Sequence, residues 1–418
     1  MAAGRSTSIR GARTRRVATT MVVTAALAAG AVGPAAAAPA AKSAEPTRDR
    51  TAAQIDSAVR EQMAQHDLGA VIVQVTDHGR NVVKRAYGES TTGVPATTRM
   101  HFRNGAVAIQ YMSTLLLRLV DQGRVKLDDK VSKWLPDLPH ADEVTLEMLA
   151  AMTSGYPDFV DDELADAIDA DPFRSFTQDE LLEYAFSQPY LFTPGTNWSY
   201  AHTNYVVLGK ILRRVTGQPL DVALRRQVLR PLGLRNTVDP GTPAIPPPVL
   251  HAFDAERRDA LGIPAGVGFL EESTFWNPSW TLAKGAIQTT TIEDMTKTAI
   301  GLGEGRLLSR KSYRQQIDPH IGFGHPQEGC EKCRTLDELY GYGLGAVRNG
   351  DWILQNPMFS GYAAVEAYNP KTKVSVAVVT TFREGSFDEN GDVPNLAMNL
   401  YGAIGAIASP SSPPVTPG

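Results

Sequence analysis

Hydrophobic residues recur along this chain with the periods of helices and strands. Ile55, Val59 and Met63 lie four residues apart, so residues 51–66 are predicted to form an amphipathic helix. Two β-branched runs follow, on either side of a turn-forming Asp-His-Gly-Arg stretch, at residues 70–75 and 82–87. This order predicts a β-hairpin directly after the first helix.

Helical patterns dominate the middle of the chain. A long helix is predicted from Ala106 to Gln122, where Gly123 ends it. Three more helices are predicted at residues 178–187, 204–216 and 220–229.

The C-terminal part returns to strands. They are predicted at residues 340–347, 351–355, 363–368 and 374–381, before a closing helix at 395–407. Strands at both chain ends around a helical middle predict an α/β (α+β) fold. We expect an antiparallel sheet flanked by helices, built from both chain ends, with an inserted all-helical lobe.

The first 40 residues have the three parts of a secretory signal peptide. An arginine-rich start ends at Arg16, an apolar run reaches about Val32, and an alanine-rich stretch favours cleavage near Ala40. The apolar run is too short for a comfortable membrane span, so no stable membrane anchor is expected. Ordinary secretion and twin-arginine export both remain open. We expect an exported protein, in the extracellular or cell-wall/periplasmic space.

Composition predicts an irregular segment near each end of the chain and argues against one class of partner. Residues 41–50 are predicted to be a linker, and the Pro/Ser-rich residues 409–418 a disordered tail. The formal charge of the 418-residue chain is −4. The first 40 residues carry five arginines and no acid, so the remainder is more acidic still. This charge gives no support for a nucleic-acid partner.

Five sequence phrases carry a family resemblance. They are residues 101–109, 125–136, 152–158, 194–205 and 231–237. In this order and spacing they resemble the serine β-lactamase-related family, which includes class C β-lactamases, D-alanyl-D-alanine carboxypeptidases and related esterases. The resemblance implies one domain over residues 51–408. Its α/β lobe would span about 51–105 and 285–408, and its helical lobe about 106–284.

The three motifs that carry the family's chemistry differ in this sequence. Ala106 and Ile109 stand at the serine and lysine positions of Ser-x-x-Lys, where neither side chain can act as nucleophile or base. Tyr200-Ala201-His202 matches Tyr-x-Asn, with an imidazole at the third position. Gln355-Asn356-Pro357 stands where the family has Lys-Thr-Gly or His-x-Gly. The resemblance therefore implies a family member that has lost acyl-serine hydrolysis.

Two functions follow from this interpretation. The first is a binding or scaffold protein for a cell-wall, peptidoglycan-like or small-molecule ligand, without a cofactor or metal. The ligand cleft is predicted to involve Ala106, Ile109, Tyr200, His202, Trp352, Gln355 and Asn356. The alternative is a non-standard hydrolase or isomerase, in which His202 acts as a general base and Tyr200 assists. Other hydroxyl groups, on Ser113, Ser154 and Thr281, are predicted to be structural.

The remaining features are two cysteines and the other tryptophans. Cys330 and Cys333 form an even pair in a chain expected to be exported, which favours a disulfide. A zinc site with His320 and His325, or a free or redox-active pair, are the alternatives. Trp134, Trp276 and Trp280 are predicted to pack in the core or between the lobes.

Overall fold

A computed structural model describes residues 44–322, 324 and 330–416 of the protein. The predicted signal peptide lies outside the described residues. The helices are α1 Ala44–Gln65, α2 Val107–Asp121, α3 Leu146–Ala150, α4 Asp162–Ala170, α5 Gln178–Phe186, α6 His202–Thr216, α7 Leu220–Leu224, α8 Ile292–Gly303, α9 Arg310–Ile317 and α10 Leu396–Ala408. Within the described residues, no helix is long and apolar enough to cross a membrane.

Thirteen strands are described in the same residues. They are β1 Leu68–Asp77, β2 Arg80–Thr91, β3 Val94–Pro95, β4 Phe102–Arg103, β5 Phe253–Asp254, β6 Glu271–Glu272, β7 Thr289–Thr290, β8 Gly341–Tyr342, β9 Val347–Asn349, β10 Trp352–Gln355, β11 Met358–Phe359, β12 Tyr362–Asn369 and β13 Val374–Phe382. The predicted N-terminal hairpin is confirmed as β1 and β2. His78 and Gly79 form its turn with φ of 49° and 73°, which suits a tight primed hairpin turn.

The main sheet is antiparallel and joins the two ends of the chain. Its strand order is β3-β2-β1-β13-β12-β10-β9-β8, with β11 added to β12. The first and last strands are neighbours, because β1 pairs with β13 in a register that sets Val73 opposite Val378. The predicted fold class, an antiparallel sheet flanked by helices, is confirmed.

Both faces of the central strands are buried, since nine of the ten residues of β1 are inaccessible. Val71 and Val73 belong to the larger core, which also contains Ile55 of α1. Ile72 belongs to a second core, in which Ile292 of α8 is buried. Helices therefore cover the sheet on two sides. In the helical part of the chain, α6 packs against α2, α3, α5 and α7.

Three predicted boundaries are wrong. The linker predicted at 41–50 is helical from Ala44 onward, since α1 begins there. The strand predicted at 340–347 is interrupted, because Gly345 has a φ of 70° and turns the chain between β8 and β9. The tail predicted to be disordered is ordered through residue 416. Its Ser412 carbonyl accepts a hydrogen bond from the Trp352 indole at 3.1 Å, and its hydroxyl donates to Asp351 at 2.7 Å.

Candidate active-site cleft

The N-terminus of α2 is the first element of the candidate site. Ala106 is its N-cap residue and is half-buried, and Ile109, one turn later, is fully buried. The backbone reaches this point through Gly105, whose φ is 46°. A Cβ on Gly105 would lie 2.7 Å from Pro357 Cβ and 3.0 Å from Phe359 Cε1. The turn after β10 therefore packs directly against the start of α2.

The second element is the N-terminus of α6, where Asp158 holds His202 at two points. The backbone N–H of His202 donates to Asp158 Oδ1 at 3.0 Å, and its Nδ1 lies 2.9 Å from Asp158 Oδ2. The carboxylate favours the tautomer with a proton on Nδ1, which leaves Nε2 as the basic nitrogen. The imidazole is about one-fifth exposed. Asp158 thus provides the acidic partner that sequence spacing could not identify.

Aromatic side chains surround this imidazole. The ring centroid of His202 lies 5.1 Å from that of Tyr200, 5.8 Å from Phe159 and 6.4 Å from Trp280. Trp280 in turn lies 6.2 Å from Phe359, which reaches across to Gly105. Tyr200, Trp280 and Phe359 are half-buried. We call these three side chains, together with Ala106 and His202, the aromatic cleft. Trp280 was predicted to pack in the core or between the lobes; it packs against the core while half-buried, and sequence spacing gave no signal for Phe359.

Tyr200 is a neutral phenol in this setting. Burial raises its pKa well above the ordinary value of 10, and the nearby Tyr340 and Asp158 raise it further. An ionised phenol is the nucleophilic form, and it is not populated near neutral pH under these conditions. Of the predicted pair, His202 is therefore the side chain able to accept a proton, and Tyr200 can donate a hydrogen bond.

The edge formed by β10 contributes less to the cleft than its sequence predicted. Gln355 is buried and its Nε2 donates to the Gly345 carbonyl at 2.8 Å. Asn356 is half-buried, and its carbonyl accepts a hydrogen bond from Asn395 at 2.9 Å. The placement of Trp352 at the cleft is wrong: the side chain is fully buried and packs edge-on against Tyr401 of α10, with centroids 5.5 Å apart.

Comparison with known proteins identifies the family. A sequence model of the family described as "Beta-lactamase" matches residues 55–397. The chain belongs to the β-lactamase family.

Individual relatives of this β-lactamase family protein include esterases and penicillin-binding proteins. It is 32% identical over 238 residues to the esterase EstB of Burkholderia gladioli, covering 52% of this chain and 60% of that protein. It is 34% identical over 178 residues to penicillin-binding protein 4 of Amycolatopsis lactamdurans, covering 41% and 45%. The matches therefore span about half the length of these curated relatives.

Solved structures share the fold at lower sequence identity. The D-amino acid amidase from Ochrobactrum anthropi SV3 superposes with a TM-score of 0.69 at 21% identity, covering 87% of this chain and 99% of that one. A D-stereospecific amidohydrolase from Streptomyces sp. gives 0.66 at 22% identity, covering 85% and 97%. At this level of identity the likeness concerns the fold alone.

The hydroxyl groups of Ser113, Ser154 and Thr281 in this β-lactamase family protein form hydrogen bonds inside the structure. The Ser113 hydroxyl lies 2.7 Å from the Tyr205 hydroxyl, and Ser154 donates to Asn204 Oδ1 at 2.6 Å. Both serines are fully buried. Thr281 is also buried and donates to the Pro278 carbonyl at 2.7 Å.

The predicted disulfide is confirmed. Cys330 and Cys333 are bonded, with their Cα atoms 5.3 Å apart. Bonded sulfurs cannot ligate zinc, so the alternative metal site loses two of its four ligands. His320 makes other contacts, with Nδ1 2.7 Å from Glu147 Oε1 and Nε2 2.8 Å from the Gln315 carbonyl. His325 lies outside the described residues.

Proposed function

We propose that this chain is an exported β-lactamase family protein that has lost acyl-serine hydrolysis and binds an uncharged ligand in the aromatic cleft. The proposed ligand is a small molecule or a peptidoglycan-like fragment. The proposal is supported by the start of α2, where the sequence resemblance matches Ala106 and Ile109 to the positions of the family's nucleophile and general base.

The chemistry of the cleft supports a ligand without negative charge. The rings of Tyr200, Trp280 and Phe359 line the cleft, and the half-buried Ala106 follows Gly105, which Phe359 approaches. In the family, a cation or imidazole stands where this chain has the buried amide of Gln355. An apolar, aromatic surface with few polar groups favours flat or hydrophobic ligands, because binding them removes apolar area from water.

The absence of a nucleophile at residue 106 predicts the outcome of a mass measurement. We expect the intact mass of the purified protein to be unchanged after incubation with a reactive β-lactam and with an activated ester. The ester should also remain unconsumed. A covalent adduct would overturn the proposal, and mapping it would identify the nucleophile.

A cysteine variant supplies the control for access to the cleft. Ala106→Cys places a thiol at the half-buried N-cap position, where iodoacetamide should alkylate it. The native cysteines are bonded to each other and should not react. If Cys at this position stays unlabelled in the folded protein, small molecules do not reach Ala106, and the proposed binding cleft is contradicted.

The contact between His202 and Asp158 favours a second candidate function. A carboxylate that fixes an imidazole through Nδ1 leaves Nε2 able to activate water toward a labile ester or lactone. Under the main proposal, wild type, His202→Ala and His202→Asn all show no ester turnover. His202→Asn is the matched control, because it restores the amide found in the family's motif but cannot serve as a base.

A different outcome would support the hydrolase. In that case wild type consumes the ester, and both variants lose about 10²- to 10⁴-fold in rate, the usual contribution of a general base. The measurement is initial-rate ester hydrolysis with and without each substitution. Turnover that survives both substitutions would contradict the binding proposal and would also exclude His202 as the general base of a hydrolase.

A further inference from the structure

A cavity lies at the far end of α6 from His202. Its volume is about 790 Å³, within the range of small-molecule sites. The C-terminal half of α6, the N-terminus of α5, and the loops 239–243 and 277–287 enclose it. His202 is the first residue of α6 and Arg213 is eleven residues later, which separates them by roughly 17 Å along the helix axis.

Positive charge predominates around this cavity. Four exposed or half-exposed cations line it, namely Lys210, Arg213, Arg214 and Lys284, against the two carboxylates of Asp179 and Asp239. Lys210 forms an ion pair with Asp179. Among the described residues, neither the Arg213 nor the Arg214 guanidinium has a hydrogen-bond or ion-pair partner. Two adjacent guanidinium groups are therefore available to a ligand.

The cavity wall also carries buried donors that are not used within the described residues. Arg103 lines the cavity with a side chain that is almost fully buried, and its Nε–H has no partner there. Gln178 lines it as well, and its buried Nε2 is likewise unpartnered among those residues. Both atoms are buried, so the exposed guanidinium groups of Arg213 and Arg214 are the donors that a ligand in the cavity can reach.

We infer that this cavity is a binding site for a small anion that carries phosphoryl groups. Guanidinium groups bind phosphate with paired, charge-assisted hydrogen bonds, and Arg213 and Arg214 supply two of them. The cavity shares no lining residue with the aromatic cleft. The inference therefore goes beyond the proposed function and does not depend on it.

Titration calorimetry with inorganic pyrophosphate at low ionic strength tests the site. We expect binding tighter than about 1 mM, and a loss of at least about tenfold in the double variant Arg213→Gln/Arg214→Gln. Both arginines are exposed, so the variant should fold normally. Citrate serves as the comparison anion and should bind more weakly than pyrophosphate if phosphoryl chemistry is recognised.

The matched control is Arg225→Gln/Arg226→Gln, another exposed pair of adjacent arginines, which does not line the cavity. It removes the same net charge and should change pyrophosphate affinity by less than about twofold. Equal losses in the two double variants would overturn the inference, because they would indicate a general charge effect. Absence of pyrophosphate binding to wild type, or equally tight citrate binding, would overturn it too.

Discussion

Replacing Glu366 with glutamine is expected to stabilise the protein at neutral pH by about 1–3 kcal/mol, the usual cost of a buried polar group without a partner. Glu366 lies on β12 and is 1% exposed, opposite Gln355 of β10 in the sheet register. Burial raises the pKa of its carboxyl well above the ordinary value of 4.5, and only the Gln110 side chain opposes that shift. Folding therefore favours the protonated form of this carboxyl.

The surroundings of Glu366 agree with a neutral carboxyl. Glu366 Oε1 and Gln110 Oε1 are both buried and, among the described residues, have no hydrogen-bond partner. A protonated carboxyl can donate a hydrogen bond, which an ionised carboxylate cannot. An amide at position 366 keeps this shape and provides a permanent N–H donor to Gln110.

The sign of the pH dependence follows from the raised pKa. Above about pH 4.5 the unfolded chain releases the Glu366 proton while the folded chain keeps it, so the free energy of unfolding falls by about 1.4 kcal/mol per pH unit. The fall continues until the raised pKa is reached. Glu366→Gln removes this contribution, and its advantage over wild type should therefore grow as the pH rises above about 4.5.

Urea unfolding of both proteins at several pH values provides the measurement. Burial also raises the pKa values of Asp254 and Glu256, so wild type alone cannot isolate one group, whereas the difference between variant and wild type can. Glu338→Gln, at an exposed position, is the control and should change stability by less than about 0.5 kcal/mol at every pH. A pH-independent difference for Glu366→Gln would show that the carboxyl is not the cause.

The fold was predictable where the hydrophobic pattern was long and regular. The hairpin, the helix beginning near Ala106 and the strands 363–368 and 374–381 were all predicted close to their observed positions. The errors lie where tertiary contacts decide the outcome. Ser412 belongs to a polar stretch typical of disorder, yet it is held by Asp351 and Trp352, which are about 60 residues away in the chain.

Only the residues of the candidate site that lie at motif positions could be predicted from the sequence. Ala106, Tyr200 and His202 came from motif positions, and the structure places all three at helix N-termini. Asp158, Trp280 and Phe359 come from three separate loops or strands, and no local spacing connects them with His202. The cleft position predicted for Trp352 was wrong for a different reason. Trp352 and Gln355 are three residues apart on β10, and side chains at that spacing lie on opposite faces of a strand.

Replacing Arg103 with methionine is expected to destabilise the protein by roughly 3 kcal/mol. The side chain is 2% exposed, and its Nη2 donates to the carbonyls of Pro243, Thr274 and Trp276 at 2.6, 3.2 and 3.1 Å. Each buried carbonyl left without a donor costs about 1–3 kcal/mol. Burial lowers the pKa of the guanidinium to about 10, and the relief of this desolvation offsets part of the loss.

The lysine variant separates the charge of Arg103 from its geometry. Arg103→Lys keeps a cation, but one ammonium lacks the planar fork that holds the carbonyls, so an intermediate loss is expected in the same urea experiment. Arg99→Met, at an exposed position four residues earlier, should change stability by less than about 0.5 kcal/mol. If Arg103→Met were as stable as wild type, the prediction would be wrong. The hydrogen bonds from the guanidinium to the loops at 243 and 274–276 would then not stabilise the fold. Because Arg103 also lines the cavity beside Arg213, a large loss would mean that its hydrogen bonds hold that wall in place.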